Sequence, residues 1–194
     1  MDTKHSDINA YILTGGQSCR FGEPKCLVKI GNKTLTDIIY ANLQSIFKNI
    51  GVIGKENYLA KYNFIEDLHP VQCPMNGIVS ALEHTTTDWI FVIACDLPLI
   101  IDNIINYLYY KGDFDRQAVV PIAGDKLQPL CGFYNKSILD DLNESIKMKN
   151  YSLFKILNQL DISKIVIPLN YSKQFLNVNY PDDLKKVDVI LKSM

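Results

Sequence analysis

The chain has 194 residues, 47% hydrophobic and 21% charged, with a formal net charge of -1 at pH 7. That length suits a single domain over residues 1–194 with its own core, and the near-neutral balance excludes the broad positive field that nucleic acid or an anionic membrane would require. The five cysteines are odd in number and scattered without a C-x-x-C pair, which speaks against a disulfide framework or a structural zinc site and for free thiols in a reducing, cytoplasmic setting.

The polar start MDTKHSD lacks the apolar core of a signal peptide. INAYIL (8–13) reads as a buried strand that runs into two glycines, and NIGVI (49–53) reads as another. Between them TLTDIIYANLQSIF (34–47) has helical spacing, with Leu35, Ile38, Ile39, Leu43, Ile46 and Phe47 on one face and Thr34 and Asp37 as a capping pair. NFI (63–65) is a short strand, and GIVSALEH (77–84) a helix. WIFVIAC (89–95) is the most hydrophobic strand; Asp96 interrupts the apolar run, far short of the ~20 residues that span a bilayer. DNIINYLYY, SILDDLNESIKM and SLFKILNQL read as helices, and AVVPI, CGFY, KIVI and FLNV as strands. A last helix starts at Pro181, with Asp182 and Asp183 beside the positive end of its dipole.

Near-continuous Ile and Val runs alternating with helices predict an α/β fold whose mostly parallel central sheet lies between two helical layers. Such sheets bind ligands beyond the carboxyl ends of their strands. The segments to search are therefore TGGQSCR, EDLHP, DLP and NYPDD.

The first segment is neither a Walker A loop nor a dinucleotide fingerprint, since Gly16 and Gly22 enclose five residues and Gly15 and Gly16 are adjacent. What stands there is strand, then G-G-x-S-x-R-x-G-x-x-K. Paired glycines let backbone N–H groups converge on an anion, and Arg20 and Lys25 suit a triphosphate better than a single carboxylate. A plain glycine turn with solvated basic residues is the alternative. Asp96, directly after a buried strand, is a magnesium ligand or a turn cap. Glu66 and Asp67 offer a carboxylate to a ribose or base edge, or are solvated turn acids. Gly77, at a helix start, lets a base approach the backbone. Asn177 and Asn179 alternate in the strand read at FLNV and so share a side, unless Asn179 only caps the helix after it. His5, His69 and His84 lack ligand spacing, and the aromatic run at 107–110 reads as a helix packing face.

ILTGGQSCRFGEPKCLVKIGNKTL (12–35) resembles the L-A-G-G-x-S-x-R-M-G-x-D-K signature of the molybdenum cofactor guanylyltransferases. Thr14, Phe21 and Pro24 stand where that family has Ala, Met and Asp. WIFVIACDLP resembles its P-C-D-x-P segment, CPMNGI its G-P-L-x-G-I, and FLNVNYPDDL its N-x-N-T-P-E-D-L; KLQPLCGFY is similar to a further block on the pterin side. Matching blocks follow in order at 12–35, 63–84, 89–98, 126–134 and 175–184. The resemblance implies a three-layer, Rossmann-like nucleotidyltransferase fold that joins GMP from GTP to molybdopterin and releases pyrophosphate. It implies nucleotide contacts at Leu13, Thr14, Gly15, Lys25, Asp67, Gly77 and Asp96, catalytic roles for Arg20, Lys25 and Asp96, Mg²⁺ on Asp96, and molybdopterin on Asn177 and Asn179. It also implies transient contact with cofactor-biosynthesis or acceptor proteins. The rival readings are a sister enzyme, cytidylyltransferase or sugar-phosphate nucleotidyltransferase, and a non-catalytic nucleotide or cofactor carrier; Gly15 favours guanine by resemblance, because the cytidine branch reads L-A-A-G.

Overall fold

The computed structural model describes residues 5–15 and 21–193. Arg20, expected on the phosphates, lies outside these residues, as do Gly16 and Cys19. Among the described residues one eight-stranded sheet organises the chain. Its strands are β1 (Ile8–Leu13), β4 (Ile50–Gly54), β5 (Phe64–Glu66), β6 (Trp89–Ala94), β7 (Ala118–Ala123), β8 (Lys126–Leu127), β9 (Cys131–Asn135) and β10 (Ile162–Val166). Two short strands, β2 (Lys29–Ile30) and β3 (Lys33–Thr34), form a separate hairpin. The spatial order is β10-β7-β9-β6-β1-β4-β5, with β8 on β7. β1 pairs in parallel with both β4 and β6, while β9 runs antiparallel between β6 and β7. The sheet is thus mostly parallel.

Alternation along the central strands sorts side chains to two faces. Ile8, Ala10 and Ile12 of β1, with Phe91 and Ile93 of β6, join one apolar cluster. That cluster is covered by Ile39 and Leu43 of α1 (Leu35–Gln44) and by Ile104, Ile105 and Leu108 of α3 (Asp102–Lys111). Tyr11, Leu13, Ile90 and Val92 face the other way. They lie under α2 (Pro74–His84), α4 (Leu139–Lys147) and α5 (Leu153–Leu157). This is the expected three-layer arrangement. A third, smaller cluster joins Val28, Leu35, Leu99, Val178 and Val187, the last from α6 (Pro181–Leu191).

The reading of FLNV as a strand is corrected. Leu169–Phe175 is 3-10 helix and residues 176–179 run on without a ladder. The Leu176 N–H turns back to the Lys173 carbonyl at 3.2 Å, and the Val178 N–H donates to the Asp96 carbonyl at 2.9 Å. Val178 is buried in the third cluster with Leu176 packed against it, and Phe175 joins the first, so the hydrophobic pattern was real and its period misleading. The α1 capping pair is formed: the Asp37 N–H donates to Thr34 Oγ1, and Asp37 Oδ2 accepts the Thr34 N–H, both at 3.0 Å. The helix read from Gly77 begins three residues earlier, with Pro74 in its first turn.

Candidate nucleotide and acceptor site

The carboxyl ends of β1, β4, β5 and β6 converge, and the loops leaving them carry the functional side chains. After β1 the chain is tied back at once, since the Thr14 N–H and Oγ1 both donate to the Ile53 carbonyl at 2.8 Å. Gly22 holds a φ of 70°, a left-handed conformation that a residue with a Cβ rarely adopts. Pro24 then opens a one-turn 3-10 helix, Lys25–Leu27. Pro24, where the resemblance led one to expect Asp, therefore serves as a turn former.

The turn delivers Lys25 across the mouth of the sheet. Its Nζ donates to Asp96 Oδ2 at 3.1 Å and to Asn179 Oδ1 at 2.9 Å. The Lys25 and Asp96 side chains are 18% and 23% exposed, so water reaches the pair without surrounding it. Glycine loop, β6 end and C-terminal segment are thereby joined by three side chains that lie 71 and 154 positions apart in sequence. Asn179 does not cap α6 through its amide. That task falls to Asp183, whose Oδ2 accepts the Asn179 N–H at 3.0 Å and the Tyr180 N–H at 2.9 Å. Those two backbone bonds, the first above all, hold the Asp183 carboxyl below its usual pKa.

Two cavities meet at the Lys25–Asp96 pair. Lys25 lines one of about 490 Å³ together with Thr14, Gly15, Gly22, Lys55 and Tyr58. Asp96 lines the other, about 350 Å³, with Asn177, Gln128, Leu130, Tyr151 and Phe154. The first is polar, with exposed backbone and with Lys25 and Lys55 set against Glu23 and Glu56, whereas the second is rich in apolar surface. A smaller hollow beside the first is walled by Leu13, Gly15, Asp67, Cys73 and Gly77. Burial pushes the Asp67 carboxyl up from its ordinary pKa, partly offset by Lys55 and Ser80. Gly77 has a packing duty as well: a Cβ there would lie 2.9 Å from Leu13 Cδ2, so its absence lets α2 seat on β1.

Of the residues read from the sequence, Lys25, Asp96 and Asn179 are in direct contact, and Asn177 stands beside Asp96 in the apolar cavity. Leu13, Thr14, Gly15, Asp67 and Gly77 line the nucleotide-sized side. Sequence reasoning missed Lys55 and assigned no role to Asn76. Lys55, directly after β4, donates to the His69 carbonyl and faces the same cavity. Asn76, fully buried, accepts the His69 N–H at 3.1 Å and donates to the His69 and Val71 carbonyls at 2.7 and 3.0 Å, pinning the loop after Asp67. Lys55 sits in no motif; Asn76 fills the variable position of CPMNGI, where an amide at the opening of a helix is a signal for a loop clasp.

Among the described residues no three His, Cys, Asp or Glu side chains gather as metal ligands. The carboxylate paired with Lys25 at the mouth is that of Asp96, while Glu23 and Glu56 line the Lys25 cavity. That suits Mg²⁺, which is commonly held by one or two carboxylates and completed by substrate phosphates and water. It does not suit an all-protein transition-metal cage. Three buried thiols are poorly suited to act as nucleophiles: burial pushes Cys26 up to about 11, and raises Cys95 and Cys131 further.

Residues 10–163 match the model of the MobA-like NTP transferase domain. A probable molybdenum cofactor guanylyltransferase of Aquifex aeolicus is 30% identical over 182 residues, covering 91% of this chain and 88% of that relative. One from Bacillus cytotoxicus is likewise 30% identical over 182 residues, covering 89% and 92%. The crystal structure of molybdopterin-guanine dinucleotide biosynthesis protein A from Archaeoglobus fulgidus aligns with a TM-score of 0.80 at 25% identity, over 96% of this chain and all of that one.

Proposed function

Because the chain belongs to the MobA-like NTP transferase family, we propose that it transfers GMP from GTP to the terminal phosphate of molybdopterin and releases pyrophosphate. The observation that carries this reading is the Lys25–Asp96 pair at the junction of a polar, charge-lined cavity and an apolar one. A nucleoside triphosphate suits the first, a flat heterocycle the second, and their phosphates would meet at the pair.

In this mechanism Leu13, Thr14 and Gly15 line the nucleotide's path with backbone, and Asp67 accepts hydrogen bonds from its ribose or base. Lys25, with Arg20 from the same loop, balances charge on the triphosphate. Asp96 would hold Mg²⁺, which supplies charge neutralisation on the phosphates when bound. An oxygen of the acceptor phosphate forms the new bond to the α-phosphorus as the bond from that phosphorus to the bridging oxygen breaks. Pyrophosphate leaves with the electron pair. A phosphate is already ionised at neutral pH, so no side chain has to take a proton. Positioning and electrostatics supply the rate. Asn177 faces the acceptor cavity, where its neutral amide adds no negative charge beside a polyanion. The free thiols Cys26, Cys73, Cys95 and Cys131 support a reducing, cytoplasmic setting, and no described helix is long and apolar enough to cross a membrane.

The test is pyrophosphate release and dinucleotide formation by the purified protein with molybdopterin, Mg²⁺ and either GTP or CTP. Turnover with GTP and little with CTP is expected. Preference for CTP would assign the protein to the cytidine branch, and nucleotide binding without pyrophosphate release would make it a carrier.

A further inference from the structure

Lys25 reaches the site on a flexible four-carbon stem, whose rotamer freedom must be lost before its charge is useful at one point. Among the described residues two acceptors restrict it, Asp96 and Asn179. They differ in kind. The carboxylate supplies charge, whereas the Asn179 amide supplies direction and no charge, so it adds nothing repulsive where a triphosphate would lie.

Asn179 is itself held. Its N–H donates to Asp183 Oδ2 at the start of α6, and the neighbouring Val178 N–H donates to the Asp96 carbonyl. Val178 is fully buried in the cluster that also takes in Val28, three residues beyond Lys25, and Leu99, three beyond Asp96. The amide oxygen that resemblance would turn toward molybdopterin is engaged by the lysine, while Asn177 lines the acceptor cavity.

We infer that Asn179 is a positioning residue for Lys25, fixing the ammonium for the triphosphate, and that of the two asparagines Asn177 alone serves the acceptor. The inference rests on the nucleotidyltransfer reading above. It assigns part of the nucleotide cradle to a segment beyond residue 163, where the family match ends.

The experiment is a double-mutant cycle read by calorimetric titration of Mg·GTP, and in parallel Mg·CTP, in the absence of molybdopterin. Asn179→Ala, or Asn179→Ser should the first variant fold poorly, is expected to weaken binding about tenfold, the usual weight of a hydrogen bond to a charged group. In the Lys25→Ala background the same change should weaken it by less than about twofold, because the residue acts through the lysine. Equal losses in both backgrounds would overturn the inference. So would unchanged nucleotide affinity accompanied by a raised KM for molybdopterin, which would return Asn179 to the acceptor. A second readout needs no nucleotide: in side-chain lysine NMR the Lys25 Nζ correlation should move on Asn179→Ala, and an unmoved resonance would overturn the inference. Wild-type protein that bound neither GTP nor CTP would sink the proposed function, leaving the NMR arm to judge the contact.

Discussion

Lys25 and Asp67 are charged groups in settings that ask different things of them. The Lys25–Asp96 pair is partly wet, and such pairs contribute little to stability. Lys25→Ala should therefore leave the unfolding free energy within about 1 kcal/mol of wild type while lowering turnover about 100-fold or more, the scale seen when one charge-stabilising donor is removed; urea melts and pyrophosphate release measure the two. Asp67 shows the opposite balance. Its pKa is raised by burial, so above the ordinary carboxylate range, about 3.9, the folded chain holds this charge at a cost. Asp67→Asn keeps the shape, removes the charge and should raise the melting temperature. It should also weaken GTP binding about tenfold, as the loss of a charged acceptor would. A melting temperature that fell would show the carboxylate to be a structural partner.

At the scale of the element, α1 gives the sharpest case. Asp37 caps it and also accepts hydrogen bonds from Lys61 and Tyr62, with Lys61 Nζ 2.6 Å away. Burial alone would raise the Asp37 pKa, but the bonds from Lys61, Tyr62 and Thr34 together pull it well below the usual carboxylate range. A depressed folded-state value means that the stabilisation is fully present above the unfolded value of about 3.9 and is lost as pH falls toward the folded one. Asp37→Ala should cost about 1–2 kcal/mol at pH 7. In acid titrations the gap to wild type should narrow progressively below about pH 4. This cap was legible from Thr34 and Asp37 alone, because capping chemistry is local. So were the buried strands, whose β-branched runs leave little choice. The antiparallel course of β9 was not legible, since CGFY reads the same in either direction and its partners β6 and β7 are fixed by packing. FLNV misled for a related reason: a buried apolar run announces burial, and only its partners decide between ladder and irregular chain. In the site, Lys25 and Asp96 announced themselves through chemistry after a strand. The contact between Lys25 and Asn179 spans 154 positions and left no local trace.

Over the whole molecule, two large apolar layers carry the sheet, while the small third cluster sits where Lys25, Asp96 and Asn179 are rooted. Stability and site geometry should therefore separate by location. Leu99→Ala and Leu142→Ala both truncate fully buried leucines and should each cost about 2–5 kcal/mol. Leu99 belongs to the third cluster and Leu142 to the layer under α4, so only the first should also weaken Mg·GTP binding. Equal binding losses in both would mean that general loosening, not this cluster, governs the site. The bond from the Val178 N–H to the Asp96 carbonyl gives the protein a native gauge of how often the mouth of the sheet comes apart. Deuterium can replace that amide proton only when the C-terminal stretch lifts away from the turn after β6. Its exchange should slow once Mg·GTP bridges the loops, and mass spectrometry of the peptide around Val178 would read site closure without any label on the nucleotide.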